Sequence, residues 1–284
     1  MNKTKIEWCD SSWNPVTGCR HDCPYCYARN IAHRFGGYHL DVELDGKHQL
    51  RHEPLDGEAG PDGLMALDAS VRRMLGGAVS KAPYPYDFTP TLHRYRLEEP
   101  ARKTKGQTIF VCSMADLFGR WVPTNWIVEV LDACMKAPQH NYLFLTKNPA
   151  RYAELDKLAL LPQEKNFWYG ATATSFDQMD AACDAMSDLP VKVRTFLSAE
   201  PLMCDLAACS AWWLSMDGKR PYFDWVILGA MTGPGAKKSP VDPKWVENIA
   251  RSAGERLIPV FMKESLVPVV GEAGMLREFP WNLK

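Results

Sequence analysis

The sequence predicts an α/β protein built as a partial or near-complete parallel (β/α) barrel, and three observations lead there. Near-continuous apolar, β-rich runs recur along the chain, helix-like stretches separate them, and polar residues collect where the runs end. A strand covered on both faces reads as such an apolar run, and βαβα alternation implies parallel pairing. With 284 residues, 46% hydrophobic and 24% charged, the chain can bury a full core.

The elements follow in order. "SSWNPVTG" (11–18) is the first candidate strand, and "QTIFVCSM" (107–114), "NYLFLTK" (141–147), "NFWYGATAT" (166–174), "VRTFLSAEPL" (193–202), "FDWVILGAM" (223–231) and "IPVFMKE" (258–264) continue the series. Helices are predicted at Tyr27–Phe35, Pro123–Lys136, Pro149–Leu160, Phe176–Leu189 and Pro243–Gly254. Pro123, Pro149 and Pro243 suit first-turn positions, and Thr124 and Asp242 are candidate side-chain caps. Residues 36–106 break the rhythm with "FGGYH", "LDGKH", "EPLDGEAGPDG" and "APYPYDFTP". This stretch is read as an insertion between the first and second barrel strands, with a short helix near Leu64–Leu75, inside a single domain over 1–284.

Composition excludes several classes. No apolar run approaches the ~18 residues of a membrane span, and charged Lys3, Lys5 and Glu7 come where a signal peptide would be apolar. A cytoplasmic protein is expected. A net charge of −1 argues against indiscriminate coating of nucleic acid. Nine cysteines, an odd count spread unevenly through a long chain, favour a metal or catalytic role over a disulfide framework.

In parallel barrels, the loops leaving the C-terminal strand ends build the active site. Here those ends read Ser113-Met114-Ala115-Asp116, Thr146-Lys147-Asn148, Thr172-Ala173-Thr174, Ser198-Ala199-Glu200 and Met231-Thr232-Gly233. The segment after the first strand, "CRHDCPYC", places Cys19, Cys23 and Cys26 within eight positions. A structural zinc site wants four ligands, so zinc would have to recruit Cys9, His21 or a distant residue. A 4Fe-4S cluster held by three cysteines instead keeps one iron open to a substrate or cofactor.

This C-x3-C-x2-C motif, with Tyr25 directly before its last cysteine, resembles the signature of the radical S-adenosylmethionine superfamily. The blocks "IEWCDSSWNPVTGC", "FVCSMADLF", "LFLTKNPAR", "FLSAEPL" and "DWVILGAMTGPGA" are similar to a largely uncharacterised phage-associated and bacterial family whose cysteine loop resembles that of spore photoproduct lyase. Ala199 and Ala230-Met231 depart from that pattern, where bulkier or Gly-Glu residues are expected. The resemblance implies a barrel of the radical SAM type, a 4Fe-4S cluster on Cys19, Cys23 and Cys26, S-adenosylmethionine as cofactor, and a reductant such as flavodoxin or ferredoxin. It implies that Ser113, Met114 and Asp116 hold the cofactor's amino group, Thr172 and Thr174 its ribose or carboxylate, Glu200 ribose hydroxyls, and Tyr25 the adenine. It tilts the substrate toward nucleic acid or a nucleotide.

Each candidate has a plainer reading. Glu200 and Asp116 could cap following helices, and Lys147 and Lys263 could be solvated surface charges. His21, His33, His39, His48, His52 and His93 match no zinc spacing and read mostly as surface residues. Cys112, Cys134 and Cys183 read as small buried hydrophobes, and Trp212-Trp213 as packing over the barrel or stacking a base. "LHRYRLEEPARKTKGQ" (92–107) has five Arg/Lys against two Glu, which suits either a phosphate-gripping stretch or a solvated charged face. Three functions stand: a radical enzyme on a nucleic acid or nucleotide, the same chemistry on a peptide or small metabolite, and a non-enzymatic zinc or iron–sulfur module.

Overall fold

The computed structural model describes residues 1–36, 40–44, 47–51, 63–75, 78–208, 221–233, 236–280 and 283. In chain order its elements begin with β1 (Asn2–Lys3), β2 (Ser11–Trp13), β3 (Val16–Thr17), α1 (Tyr27–Phe35), β4 (Leu40–Leu44), β5 (Lys47–Arg51), β6 (Met65–Leu67), β7 (Arg72–Leu75), β8 (Ala78–Lys81) and β9 (Thr91–His93). They continue with β10 (Thr108–Val111), α2 (Thr124–Met135), β11 (Asn141–Thr146), α3 (Ala150–Lys157), β12 (Phe167–Thr172), α4 (Phe176–Ser187), β13 (Arg194–Ala199), β14 (Val226–Leu228), α5 (Pro243–Gly254), β15 (Val260–Met262) and α6 (Val267–Val270).

The fold is mixed α/β around an eight-stranded, mostly parallel sheet of order β1-β2-β10-β11-β12-β13-β14-β15. From β11 to β15 every pairing is parallel, and the register runs through Tyr142↔Phe167, Trp168↔Arg194, Leu197↔Val226 and Val226↔Val260. Two compact units are distinguished: Met1–Asn2 with Ser12–Thr104 and Val111–Ala137, and Lys3–Ser11 with Lys105–Phe110 and Pro138–Lys284. Among the described residues, no helix is long and apolar enough to cross a membrane.

The first expected strand is broken in two. Pro15 lacks the N–H a ladder needs, so β2 ends at Trp13, and β3 turns away to pair antiparallel with β9 through Val16↔Leu92 and Thr17↔Thr91. Within the insertion, β9 and β6 join β3 in a three-stranded sheet of order β3-β9-β6, and a four-stranded sheet has the order β5-β4-β7-β8. The helix expected near Leu64–Leu75 is absent. β6 there pairs parallel to β9 through Ala66↔Leu92, and β7 pairs with β8, so long-range ladder bonds override a local apolar pattern that fits either state.

In the second unit the strands bury both faces. Phe144 stacks on Tyr169 at 5.5 Å between ring centroids, while Trp168, Phe196, Trp225, Ile227 and Phe261 form one core cluster with Trp8 and Phe110. Gly170 lies beneath the Phe196 ring, where a Cβ would come within 2.3 Å of it. The helices start largely as their caps dictate. Asp242 Oδ1 accepts the Lys244 N–H at 2.9 Å ahead of Pro243 in α5, and Ser175 Oγ accepts the Gln178 N–H at 3.3 Å ahead of α4. At α2 the N-cap is Pro123, and Thr124 is the first helical residue instead of the cap.

Candidate functional site

The cysteine loop is built from both of its ends. Gly18 has φ +87°, and a Cβ there would lie 2.4 Å from the Thr89 carbonyl carbon and oxygen, so only glycine fits. Its N–H donates to the Met114 carbonyl at 2.9 Å, and the next N–H, of Cys19, donates to the Phe88 carbonyl at 3.1 Å. At the far end, the Cys26 N–H closes a turn on the Cys23 carbonyl at 3.1 Å. Cys26 is the N-cap of α1, its Sγ accepting the Arg29 N–H at 3.4 Å.

All three cysteines are half-buried, and no disulfide links the eight described cysteines. Burial first, then the nearby charges of Asp116, Cys23 and Cys26, push the Cys19 thiol up to about 12 against the relief of a hydrogen bond from the His21 backbone. Cys19 thus feels both other cysteines of the motif. Among the described residues, no three His, Cys, Asp or Glu side chains are gathered closely enough to hold a single metal ion.

Ser113, Met114 and Asp116 stand beside this loop, joined to it by a bridge between Gly18 and Ala115. The turn is held from three sides. Asn14 Oδ1 accepts from Ser113 Oγ at 3.2 Å and the Met114 N–H at 2.9 Å, and the Tyr27 hydroxyl donates to the Ser113 carbonyl at 2.8 Å. Cys112, entering the turn, has φ +60°, the left-handed region that a side chain rarely adopts. Met114 packs with Ala28, Ala32, Phe88, Cys19 and Cys26. Asp116, only 5% exposed, caps no helix: Oδ1 accepts the Phe118 N–H at 3.1 Å, and Oδ2 lies 2.6 Å from His21 Nε2. The His21 ring in turn meets Trp121 edge-on at 4.8 Å. Tyr25 is half-buried within the loop. Nothing in the sequence marks Asn14, Tyr27 or Trp121, and His21, between two motif cysteines, reads there only as a zinc alternative or a surface residue.

A cleft of about 300 Å³ opens beside Cys19, lined by Arg20, Arg29, His33, Asp87 and Phe88–Pro90. Arg29 pairs with Asp22, and His33 Nδ1 lies 2.7 Å from Asp87 Oδ2.

Thr172, Thr174 and Glu200 lie at strand ends in the second unit. Thr172 closes β12 opposite Ser198 and is buried. Thr174 gives both its N–H and its hydroxyl to Gln178 Oε1, at 2.8 and 2.9 Å. Among the described residues Glu200 caps no helix. Its Oε1 is 2.7 Å from Lys263 Nζ, and its Oε2 accepts from Ser198 Oγ at 3.0 Å. Gly229 makes room for this pair, since a Cβ there would come 2.7 Å from Glu200 Oε1 and 3.2 Å from Lys263 Cδ. Lys263 is thus an ion-paired residue and not a solvated charge. Lys147 is half-buried after β11.

The remaining candidates sort clearly. Cys112, Cys134 and Cys183 are buried, as expected of small hydrophobes. His93 is fully buried, contrary to the surface reading, because Thr17 Oγ1 and the Tyr95 hydroxyl lie 2.9 and 3.2 Å from its ring nitrogens. In the basic stretch 92–107, Arg94 is held by Glu129, Arg96 by Tyr95 and the Asn14 carbonyl, and Arg102 by Glu98, so three of its cations serve the fold. His39, His52, Cys209, Trp212 and Trp213 lie outside the described residues, and His48 falls in β5.

Fold and site together define an α/β protein with a three-cysteine loop presented at a helix N-terminus. The chain belongs to the family described as "Protein of unknown function (DUF5131)", which matches residues 3–266. No curated protein and no solved structure matches it.

Proposed function

We propose that this chain is a radical S-adenosylmethionine enzyme, cytoplasmic, with its strands arranged as a partial or near-complete barrel and its substrate a nucleic acid or nucleotide. The observation that carries the reading is the loop itself: three thiols, and not four, on one short segment, all half-buried. These residues fit an iron–sulfur cluster. Soft thiolates are its ligands, and a cluster holds its cysteines at separate corners, whereas sulfurs on one zinc must each come within ~2.3 Å of a single point. When bound, the cluster and S-adenosylmethionine supply reductive cleavage to methionine and a 5′-deoxyadenosyl radical that takes hydrogen from the substrate.

The chain's own residues supply placement. Gly18 and Asn14 tie the cysteine loop and the Ser113–Asp116 turn into one body through the Met114 carbonyl and N–H. Holding a reactive centre on rigid, cross-linked backbone is what keeps its partners in productive geometry. By the resemblance Tyr25 is the candidate for adenine, and Ser113, Met114 and Asp116 are the candidates for the amino group. By the same resemblance Thr172 and Thr174 are candidates for the ribose or carboxylate, and Glu200 for ribose hydroxyls. The electron comes from an external donor such as flavodoxin or ferredoxin.

The test is anaerobic reconstitution. The protein is expected to become brown and to retain iron and sulfide, and on reduction with dithionite to release 5′-deoxyadenosine and methionine slowly without substrate. Cys19→Ala, Cys23→Ala and Cys26→Ala should each lose the iron, while Cys134→Ala should not. A reduced, cluster-loaded protein that makes no 5′-deoxyadenosine refutes the reading, and a colourless protein with stoichiometric zinc replaces it with a zinc module.

A further inference from the structure

The path from β2 to β3 runs through Trp13, Asn14 and Pro15, and each of the three carbonyls meets a different partner. The Trp13 carbonyl accepts the Cys112 N–H at 2.7 Å, and the Pro15 carbonyl accepts the His93 N–H at 2.7 Å. Between them, the Asn14 carbonyl accepts from Arg96 Nη1 at 2.8 Å. Where a broken strand leaves a carbonyl outside the ladder, a side chain has to supply the donor, and Arg96 is that side chain. Arg96 is itself fixed. Its own carbonyl accepts from Trp13 Nε1 at 3.0 Å, its Nε and Nη2 donate to the Tyr95 hydroxyl at 3.2 and 3.0 Å, and Nη2 also donates to the Pro83 carbonyl at 3.4 Å. The guanidinium is half-buried, and among the described residues its acceptors are all neutral. Partial burial of a cation with no carboxylate beside it is unfavourable. An ion pair therefore does not account for its position, and the backbone it holds does.

Asn14 passes that order on to the site. Its Oδ1 accepts from Ser113 Oγ at 3.2 Å and from the Met114 N–H at 2.9 Å, and these are two of the residues that the resemblance sets against the cofactor's amino group. The approach to Cys19 is held by the same stretch of chain: Thr17 pairs with Thr91, and its Oγ1 lies 2.9 Å from His93 Nε2. Residues 91–96 thus grip the segment 13–17 at successive points, from the end of the stretch that the sequence presents as an irregular insertion. We infer that Arg96 is a positioning residue for S-adenosylmethionine binding, fixing Asn14 and through it the Ser113–Met114 backbone, so that the end of the insertion clamps the base of the cysteine loop. Arg96 acts at one remove, through Asn14. This inference rests on the radical S-adenosylmethionine reading and adds to it a task for the insertion.

The experiment uses the anaerobically reconstituted full chain and measures iron content together with S-adenosylmethionine affinity, by calorimetry and by the change in the electron paramagnetic resonance spectrum of the reduced cluster. Arg96→Met keeps the aliphatic stem and removes the guanidinium, and should weaken binding about tenfold with iron retained, the scale of one hydrogen bond from a charged group. Arg96→Lys can still donate to a single carbonyl and should recover most of that affinity. In an Asn14→Ala background, Arg96→Met should weaken binding little further, because residues acting in series are not additive. Arg94→Met is the control: it removes the neighbouring cation, which Glu129 holds, and should leave the affinity unchanged. If Arg96→Met does not fold, Tyr95→Phe takes its place, removing only the hydroxyl that orients the guanidinium, and should weaken binding several-fold. Wild-type affinity in iron-replete Arg96→Met, or in Tyr95→Phe where that is the variant measured, overturns the inference and leaves the radical reading standing. A loss in Arg94→Met as large as that in Arg96→Met is the mark of general loosening and overturns it as well, and so does full additivity with Asn14→Ala. A wild-type protein that holds its cluster but does not bind S-adenosylmethionine overturns the reading on which the inference rests.

Discussion

The strands β11–β15 and the cysteine loop are specified in opposite ways. The strands are held by bulk: Phe144, Trp168, Phe196, Trp225 and Phe261 are almost wholly buried, and nearly any partner of similar size and shape would keep the pattern. The loop is held by single contacts that admit no substitute, such as the Gly18 conformation, the Asn14 amide oxygen shared by two donors, and the Asp116–His21 bond. The difference teaches where tolerance ends. A scaffold distributes its stability over many contacts, whereas a site concentrates geometry in a few polar ones that contribute little stability each.

The largest expected effect tests the first half of that contrast. Phe196 packs against Trp225 at 5.9 Å and Trp8 at 6.3 Å and covers Gly170, so Phe196→Ala opens a cavity in the core. A loss of about 3–5 kcal/mol in urea unfolding is expected, with iron per folded molecule unchanged. A loss below ~1 kcal/mol would mean the sheet core is not packed as described.

Gly18→Ala tests the second half. The left-handed backbone alone costs about 1–3 kcal/mol for a side-chain residue, and the Cβ would also overlap the Thr89 carbonyl. Gly271, at φ +70° with nothing within 4 Å of its Cβ position, carries the strain without the overlap. Gly18→Ala should therefore lose more stability than Gly271→Ala and also release iron, because the loop must shift. Equal losses with full iron retention would show that the loop tolerates movement.

A buried histidine gives the next effect, and its sign is fixed by linkage. Burial first, then the Arg96 charge, hold His93 well below the ordinary histidine value. Below about pH 6.5 the unfolded chain takes up a proton on this residue that the native state refuses. Stability therefore rises with pH across that window, and it falls as pH is lowered through about 6.5 toward the folded value. The contribution approaches about 1.4 kcal/mol per pH unit. Unfolding curves of His93→Gln and the wild type should differ in slope there by that amount, and parallel curves would place a charged His93 in the native protein.

His93 also shows what the sequence could and could not reveal. α1 and α5 were legible to the residue, because amphipathic spacing and the Asp242–Pro243 start are local signals. The strands from β10 to β15 were legible in position but read too long, since apolar character continues into the loops while pairing does not. Illegible were features made by distant partners: His93 is buried by Thr17 and Tyr95, β6 is a strand because β9 lies beside it, and Asp116 is closed off by His21. The three cysteines were legible because their spacing is itself the signal. The side chains around them were not, since nothing local marks Asn14 or Trp121 as belonging to the same place.

The smallest expected change in stability is at Glu200 and Lys263, which makes this pair the sharpest probe of whether the second unit carries a site at all. The two are ion-paired at 2.7 Å, but their side chains remain 19% and 29% exposed, so water screens much of the attraction. Glu200 would also keep its bond from Ser198 if the lysine were removed. Lys263→Met should cost no more than ~1 kcal/mol, and Glu200→Ala a similar amount. If Glu200 meets ribose hydroxyls, Glu200→Ala should weaken S-adenosylmethionine binding with iron unchanged, and Lys263→Met should weaken it less, by freeing the carboxylate to move. A double variant no weaker than Glu200→Ala would show the lysine acting through the glutamate. Unchanged affinity in both single variants would leave the pair a structural clasp across β13 and β15.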